Sequence, residues 1–158
     1  MGGKKMSVPV DVLRTADLFA GLTNEQIEAL AALGERRTFQ CGDVIVREKD
    51  AGDELYITLS GQVEVSCTGD IGGTTLVLLG AGQGFGEISV LDSGPRSATI
   101  TCVSASAELL ILHGGPLLAY CERDPLTGYR IMYNVARDLA FKLRHRNITL
   151  AGGEEGRA

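Results

Sequence analysis

The alternation of apolar and polar positions divides the chain into three regions. From Pro9, the residues Val12, Leu13, Ala16, Leu18 and Phe19 recur at helical spacing, which predicts a short helix docked on the body of the protein. Thr23 followed by Gln26 forms a capping box, and Ile27, Leu30, Ala31 and Leu33 mark a second helix that ends near Gly34. From Arg36 to Leu112 the period shortens to strand-like runs between glycine-bearing corners at Gly42-Asp43, Gly52-Asp53 and Gly72-Gly73. These runs predict strands over residues 37–39, 44–47, 55–60, 62–66, 74–79, 97–103 and 108–112. Their regular spacing suits a small antiparallel barrel or jelly roll, so the fold expected is mainly β with flanking helices. Beyond Leu112 the helical period returns, in a short segment over 116–121 and in a long one opened by Asp124-Pro125, a cap residue ahead of a proline at the first helical position.

The long helix carries more apolar surface than one contact needs. Ile131, Met132, Tyr133, Val135, Ala136, Leu139, Ala140, Phe141 and Leu143 are distributed over more than one side, whereas a helix lying on a barrel needs a single stripe. The surplus predicts a second contact, either with the base of a bound ligand or with the same helix of another copy, the alternative being a helix buried on two sides in the core. Met132, Val135, Leu139 and Leu143 step at coiled-coil spacing and are the residues expected to form the seam of a homodimer. The domain is expected to span residues 9–150, with 1–8 a flexible start or cloning remnant, Met6 being the natural first residue, and 151–158 a mobile tail.

Composition narrows the function more than the fold. A chain of 158 residues suits one domain, and its 21 glycines, about twice the usual share, fit many turns between short strands. The net charge of −5 offers no general attraction for nucleic acid or acidic membranes. Cys41, Cys67, Cys102 and Cys121 contain no Cys-x-x-Cys, which favours free thiols in a reducing cytoplasm over metal or disulfide sites. No apolar run reaches the ~18 residues of a membrane span, and no signal-peptide pattern opens the chain. A cytoplasmic location is therefore expected. His113 and His145 are the only histidines, with no His-x-His, which weighs against a cupin-type metal enzyme, the main catalytic alternative. There is no Gly-x-Ser-x-Gly, and Phe85 stands where a dinucleotide-binding glycine run needs its last glycine. The chain is expected to be neither an enzyme nor a holder of a cofactor or metal. Arg144, His145 and Arg146 read as a basic patch that complements a helix C-terminus.

The residues with the most specific pattern lie between Gly82 and Ile100. Gly84 and Gly86 let the backbone turn and approach a partner closely, and a short apolar run follows at once, so a glycine loop feeds one helical turn. Backbone N–H groups at such a turn point outward and favour an anion. Arg96, after Gly94-Pro95, supplies a guanidinium suited to paired phosphate oxygens. Glu87 would repel a phosphate, and its natural role is to accept hydrogen bonds from a neutral hydroxyl of the same ligand, such as a ribose 2′-OH. Taken singly, Glu87 also fits as a first-turn acid, or as the ion-pair partner of Arg96.

In order, Phe85-Gly86-Glu87, a short apolar helix, and Pro95-Arg96-Ser97-Ala98-Thr99 resemble the phosphate-binding cassette of the cyclic nucleotide-binding domain family. Bacterial cAMP receptor proteins, regulatory subunits of cyclic nucleotide-dependent kinases and gated channels share that cassette. Tyr56, Gly61, Val63 and Val65 match a second signature of the family, and the resemblance extends over residues 18–147. It implies a double-stranded β-helix (jelly-roll) barrel and a ligand site formed by Phe85, Gly86, Glu87, Ile88, Ser89, Arg96, Ser97 and Ala98. Arg96 would hold the phosphate of cAMP, with cGMP the alternative ligand. The long helix would close over the base as a lid and transmit binding. In the cAMP receptors a Thr-Ser pair touches adenine at positions that fall near Lys142 and Leu143 here, so an apolar or arginine cap from Tyr133, Arg137 or Phe141 is expected instead. The chain is thus expected to be a regulatory sensor, or a regulatory piece of a larger transporter, channel or transcription regulator. Too few residues follow the long helix for a helix-turn-helix, so direct contact with nucleic acid is not expected. The output partner is undefined.

Overall fold

The computed structural model describes residues 9–68 and 74–155. The start over 1–8, the Gly72-Gly73 corner and residues 156–158 lie outside the described residues. Two short helical segments open the fold, α1 (Val10–Arg14) and α2 (Asn24–Ala31), with a single 3-10 turn over Asp17–Phe19 between them. The strands are β1 (Glu35–Gln40), β2 (Val44–Val46), β3 (Glu54–Ser60), β4 (Val63–Thr68), β5 (Thr74–Leu79), β6 (Gly84–Phe85), β7 (Thr99–Cys102) and β8 (Ser106–His113). Helix α3 (Glu87–Asp92) lies between β6 and β7, and α4 (Gly114–Arg123) and α5 (Pro125–Glu155) close the chain.

The strands form two four-stranded antiparallel sheets, in the orders β1-β8-β3-β6 and β2-β7-β4-β5. The arrangement is the expected jelly roll with flanking helices, but the sheets face one another as a sandwich and are not hydrogen-bonded round into a closed barrel. Strands β3 and β8 are buried on both faces. Leu55, Ile57, Leu59, Leu110 and Leu112 pack beneath the helices against Leu13, Phe19, Ile27, Leu30 and Ile131. Tyr56, Leu109 and Ile111 point the other way, into the sandwich, and meet Val46, Val63, Phe85 and Ile100. At the opposite edge, β5 leaves Leu76, Val77 and Leu78 exposed.

Three expectations change. The predicted first helix breaks after Arg14, because the Thr15 hydroxyl donates to Val12 O at 2.6 Å and Ala16 is extended, so Phe19 reaches the core from a separate 3-10 turn. Strand β7 starts at Thr99 and not at 97, since the Arg96 backbone is bonded to a loop: its N–H donates to Asp50 O and its O accepts from Lys49 N, each at 2.8 Å. The seam proposed for a second copy is not open. Val135 is buried in the core, and Met132 and Leu139 pack against it. Among the described residues, no helix is long and apolar enough to cross a membrane.

Candidate functional site: the cassette and the long helix

Gly86 caps the start of α3 with φ 96°, a left-handed conformation that other residues adopt only with strain. A side chain there would also collide, because its Cβ would stand 2.5 Å from Glu54 O and 3.0 Å from Arg96 Nη1. Gly52 does the same from the other side, where a Cβ would lie 2.7 Å from Arg96 Nε and Nη2. Two bare backbone positions therefore make the space in which the guanidinium sits.

Arg96 is only 5% exposed. Its Nη1 donates to Glu54 O at 3.0 Å and its Nη2 to Glu54 Oε2 at 2.7 Å, so the buried charge is paired and directed. The guanidinium carbon stands 5.8 Å from the centre of the Tyr56 ring. Phe85 stacks on that ring at 4.8 Å, nearly parallel, and its side chain belongs to the sandwich core. Burial, with the Glu54 carboxylate adding to it and Arg96 opposing it, raises the pKa of the Tyr56 hydroxyl above the usual 10.0, so the ring stays neutral.

Glu87, in the first turn of α3, does not pair with Arg96. Its side chain is 10% exposed, and Oε1 accepts from Lys142 Nζ of α5 at 2.7 Å. Lys142 Nζ also lies 2.8 Å from Asp138 Oδ2, one turn earlier on the same helix. Burial alone would lower the lysine's pKa, but the carboxylates of Glu87 and Asp138 outweigh it and raise the pKa above 10.5. The two charged groups expected to hold one ligand are thus each held by a different partner, Arg96 by β3 and Glu87 by the long helix.

Of the other expected site residues, Ser89 is buried, Ala98 half-buried, and Ile88 and Ser97 are exposed. Tyr133, Arg137 and Phe141 are exposed as well; Arg137 lies over the Tyr133 ring at 5.9 Å, and Phe141 meets His145 at 4.0 Å. At ~100° per residue, Ile131, Val135, Asp138 and Lys142 share one face of α5, and Tyr133 lies nearly opposite. A crevice between α3 and α5 is accordingly lined by Glu87, Val90, Leu91, Ile131, Met132 and Val135. Sequence reasoning missed Gly52, Glu54 and Lys142. Gly52 was legible only as a corner, whereas Lys142 stands where the resemblance places an adenine-reading residue. Asp53, Glu54 and His113 bring ligand atoms within 4.8 Å of one another, but the Glu54 carboxylate is already held by Arg96.

Comparison with known proteins bears on the family and the fold. The family profile of the cyclic nucleotide-binding domain matches residues 36–124. The cyclic AMP receptor protein of Thermus thermophilus is 37% identical over 140 residues, covering 87% of this chain and 62% of the receptor, so the chain spans less than two thirds of that relative. The crystal structure of the Thermus thermophilus catabolite activator protein superposes with a TM-score of 0.76 at 35% identity, over 85% of this chain and 62% of that one. The regulatory domain of Toxoplasma gondii PKA, crystallised with cAMP, superposes with a TM-score of 0.63 at 30% identity, over 75% of this chain and 45% of that one. From cassette, sandwich and profile together, the chain belongs to the cyclic nucleotide-binding domain family.

Proposed function

We propose that this domain binds cAMP, with cGMP as the competing ligand, at one site in the cassette, and that it regulates and does not catalyse. The observation that carries this reading is the Arg96 guanidinium, buried at the left-handed Gly86 turn with N–H groups beyond the two that Glu54 uses. A cyclic phosphate needs such a directed cation, and Glu87 suits the neutral sugar hydroxyls. The relatives named for cAMP support the choice of adenine, while a cGMP-dependent protein kinase of Toxoplasma gondii, 41% identical over 104 residues, keeps guanine as the second candidate. Binding would be transmitted by α5, whose Lys142 reaches the cassette and whose start is fixed at Asp124.

Calorimetric titration tests the proposal directly. Wild-type protein should bind one cyclic nucleotide per chain, and Arg96→Leu should weaken binding by about 2–4 kcal/mol, roughly 30- to 1,000-fold. Equal affinity in the variant would put the phosphate elsewhere, and AMP recovered from the mixture would contradict the regulatory reading.

A further inference from the structure

Glu87 is the carboxylate to which the binding reading assigns the sugar hydroxyls, and one of its oxygens is already taken. Lys142 Nζ donates to Glu87 Oε1 at 2.7 Å while it also holds Asp138 Oδ2 at 2.8 Å. The two carboxylates belong to different parts of the molecule, Asp138 to the same helix as the lysine and Glu87 to the cassette. Lys142 can therefore leave Glu87 without losing all its countercharge. Its side chain is 50% exposed, so it has room to do so, whereas Glu87 is nearly buried and must keep a donor. The placement follows from the helix: Lys142 continues, beyond Asp138, the face on which Ile131 and Val135 are buried, and this brings it over α3.

We propose that Lys142 competes with the ligand's 2′-hydroxyl for Glu87, and so sets how strongly the domain distinguishes a ribose from a 2′-deoxyribose. With the lysine in place, a hydroxyl reaching Glu87 either displaces an ammonium or shares the carboxylate with it. With the lysine removed, the hydroxyl becomes the natural donor to a nearly buried charge, and a hydrogen bond to a charged group is worth about tenfold or more in affinity. The inference rests on the binding reading above and adds to it a residue outside the cassette that determines sugar specificity.

The experiment is a titration of wild type, Lys142→Met and Lys142→Arg with cAMP and 2′-deoxy-cAMP, and with cGMP and 2′-deoxy-cGMP, after circular dichroism has established that each variant is folded. In wild type, loss of the 2′-hydroxyl should cost only a few-fold in affinity. In Lys142→Met the ribo form should bind about tenfold more tightly, with the deoxy form little changed, so the ratio of the two widens. Lys142→Arg, which restores the cation, should return the ratio towards that of wild type. A ratio that is unchanged or narrowed in Lys142→Met, with cyclic nucleotide still bound, overturns this inference alone. If wild type binds none of the four nucleotides, the binding reading itself fails and this inference falls with it.

Discussion

Arg96 owes its position to residues far from it in sequence. Lys49 and Asp50 strap its backbone, Glu54 takes two of its N–H groups, and Gly52 leaves the room its side chain fills. Gly52→Ala should push the guanidinium aside without straining the backbone, since the collision is with the end of a side chain. We expect cyclic nucleotide affinity to fall about tenfold, ~1.4 kcal/mol, and the melting temperature to drop as the buried pair with Glu54 is disturbed; calorimetry finding wild-type affinity would refute the cradle. A second residue-scale expectation concerns Thr58, fully buried on β3 with a hydroxyl that finds no hydrogen-bond partner among the described residues. Thr58→Val keeps the shape and removes the orphaned group, so it should stabilise the fold by about 1 kcal/mol. A lower melting temperature in that variant would mean the hydroxyl is bonded after all. The sequence made Glu87 and Arg96 legible because their motif is local and ordered. It did not reveal Glu54, since a contact made across 42 positions leaves no trace in spacing.

At the scale of elements, α5 is capped at its start, packs one face on the core and reaches the cassette from the end of that face. Its start was legible from Asp124-Pro125: the Asp124 carboxylate accepts from Thr127 N at 3.3 Å and from Thr127 Oγ1 at 2.8 Å. Asp124→Ala should cost about 1 kcal/mol of stability in chemical denaturation, as loss of a helix cap does. Its buried face ends in the Lys142 contact, and the sign of the pH dependence there is fixed. Lys142 has its folded pKa above 10.5, so its stabilisation is fully present below that pH and is lost as pH rises through the folded value. Tyr56, whose pKa is also raised in the fold, adds a loss in the same direction above pH 10.0. The melting temperature should therefore fall above pH 10, and fall less steeply in Lys142→Met; identical slopes would show that the contact does not hold in solution. The two-sided character of α5 was readable from its apolar residues, but which stripe faced the core was not. Met132, Val135 and Leu139 fit a seam and a core equally well by spacing, and only the packing of α5 against α4 and the 3-10 turn over Asp17–Phe19 decides between them.

For the whole molecule, the stripe of α5 that remains open is Leu126, Tyr129, Tyr133, Ala136, Ala140 and Leu143, all exposed and stepping alternately by three and four residues. That is the heptad pattern of a two-helix seam, with small alanines where two backbones could approach. We expect dimers through this stripe. Light scattering should give twice the chain mass for wild type and a single chain mass for Ala136→Glu, whereas a monomer at high wild-type concentration would exclude the seam. The double burial of β3 and β8 has a further consequence, which is one of time. Their amides should exchange with deuterium only when the entire domain opens, while the end of α5, held to the cassette by one half-exposed lysine, can open by itself on a much faster clock. Ligand that binds only the folded domain slows the first clock by the factor 1 + [L]/Kd, which yields an affinity independent of any titration. If the second clock slows too, the ligand has closed the helix; if it runs faster, the ligand has released Lys142.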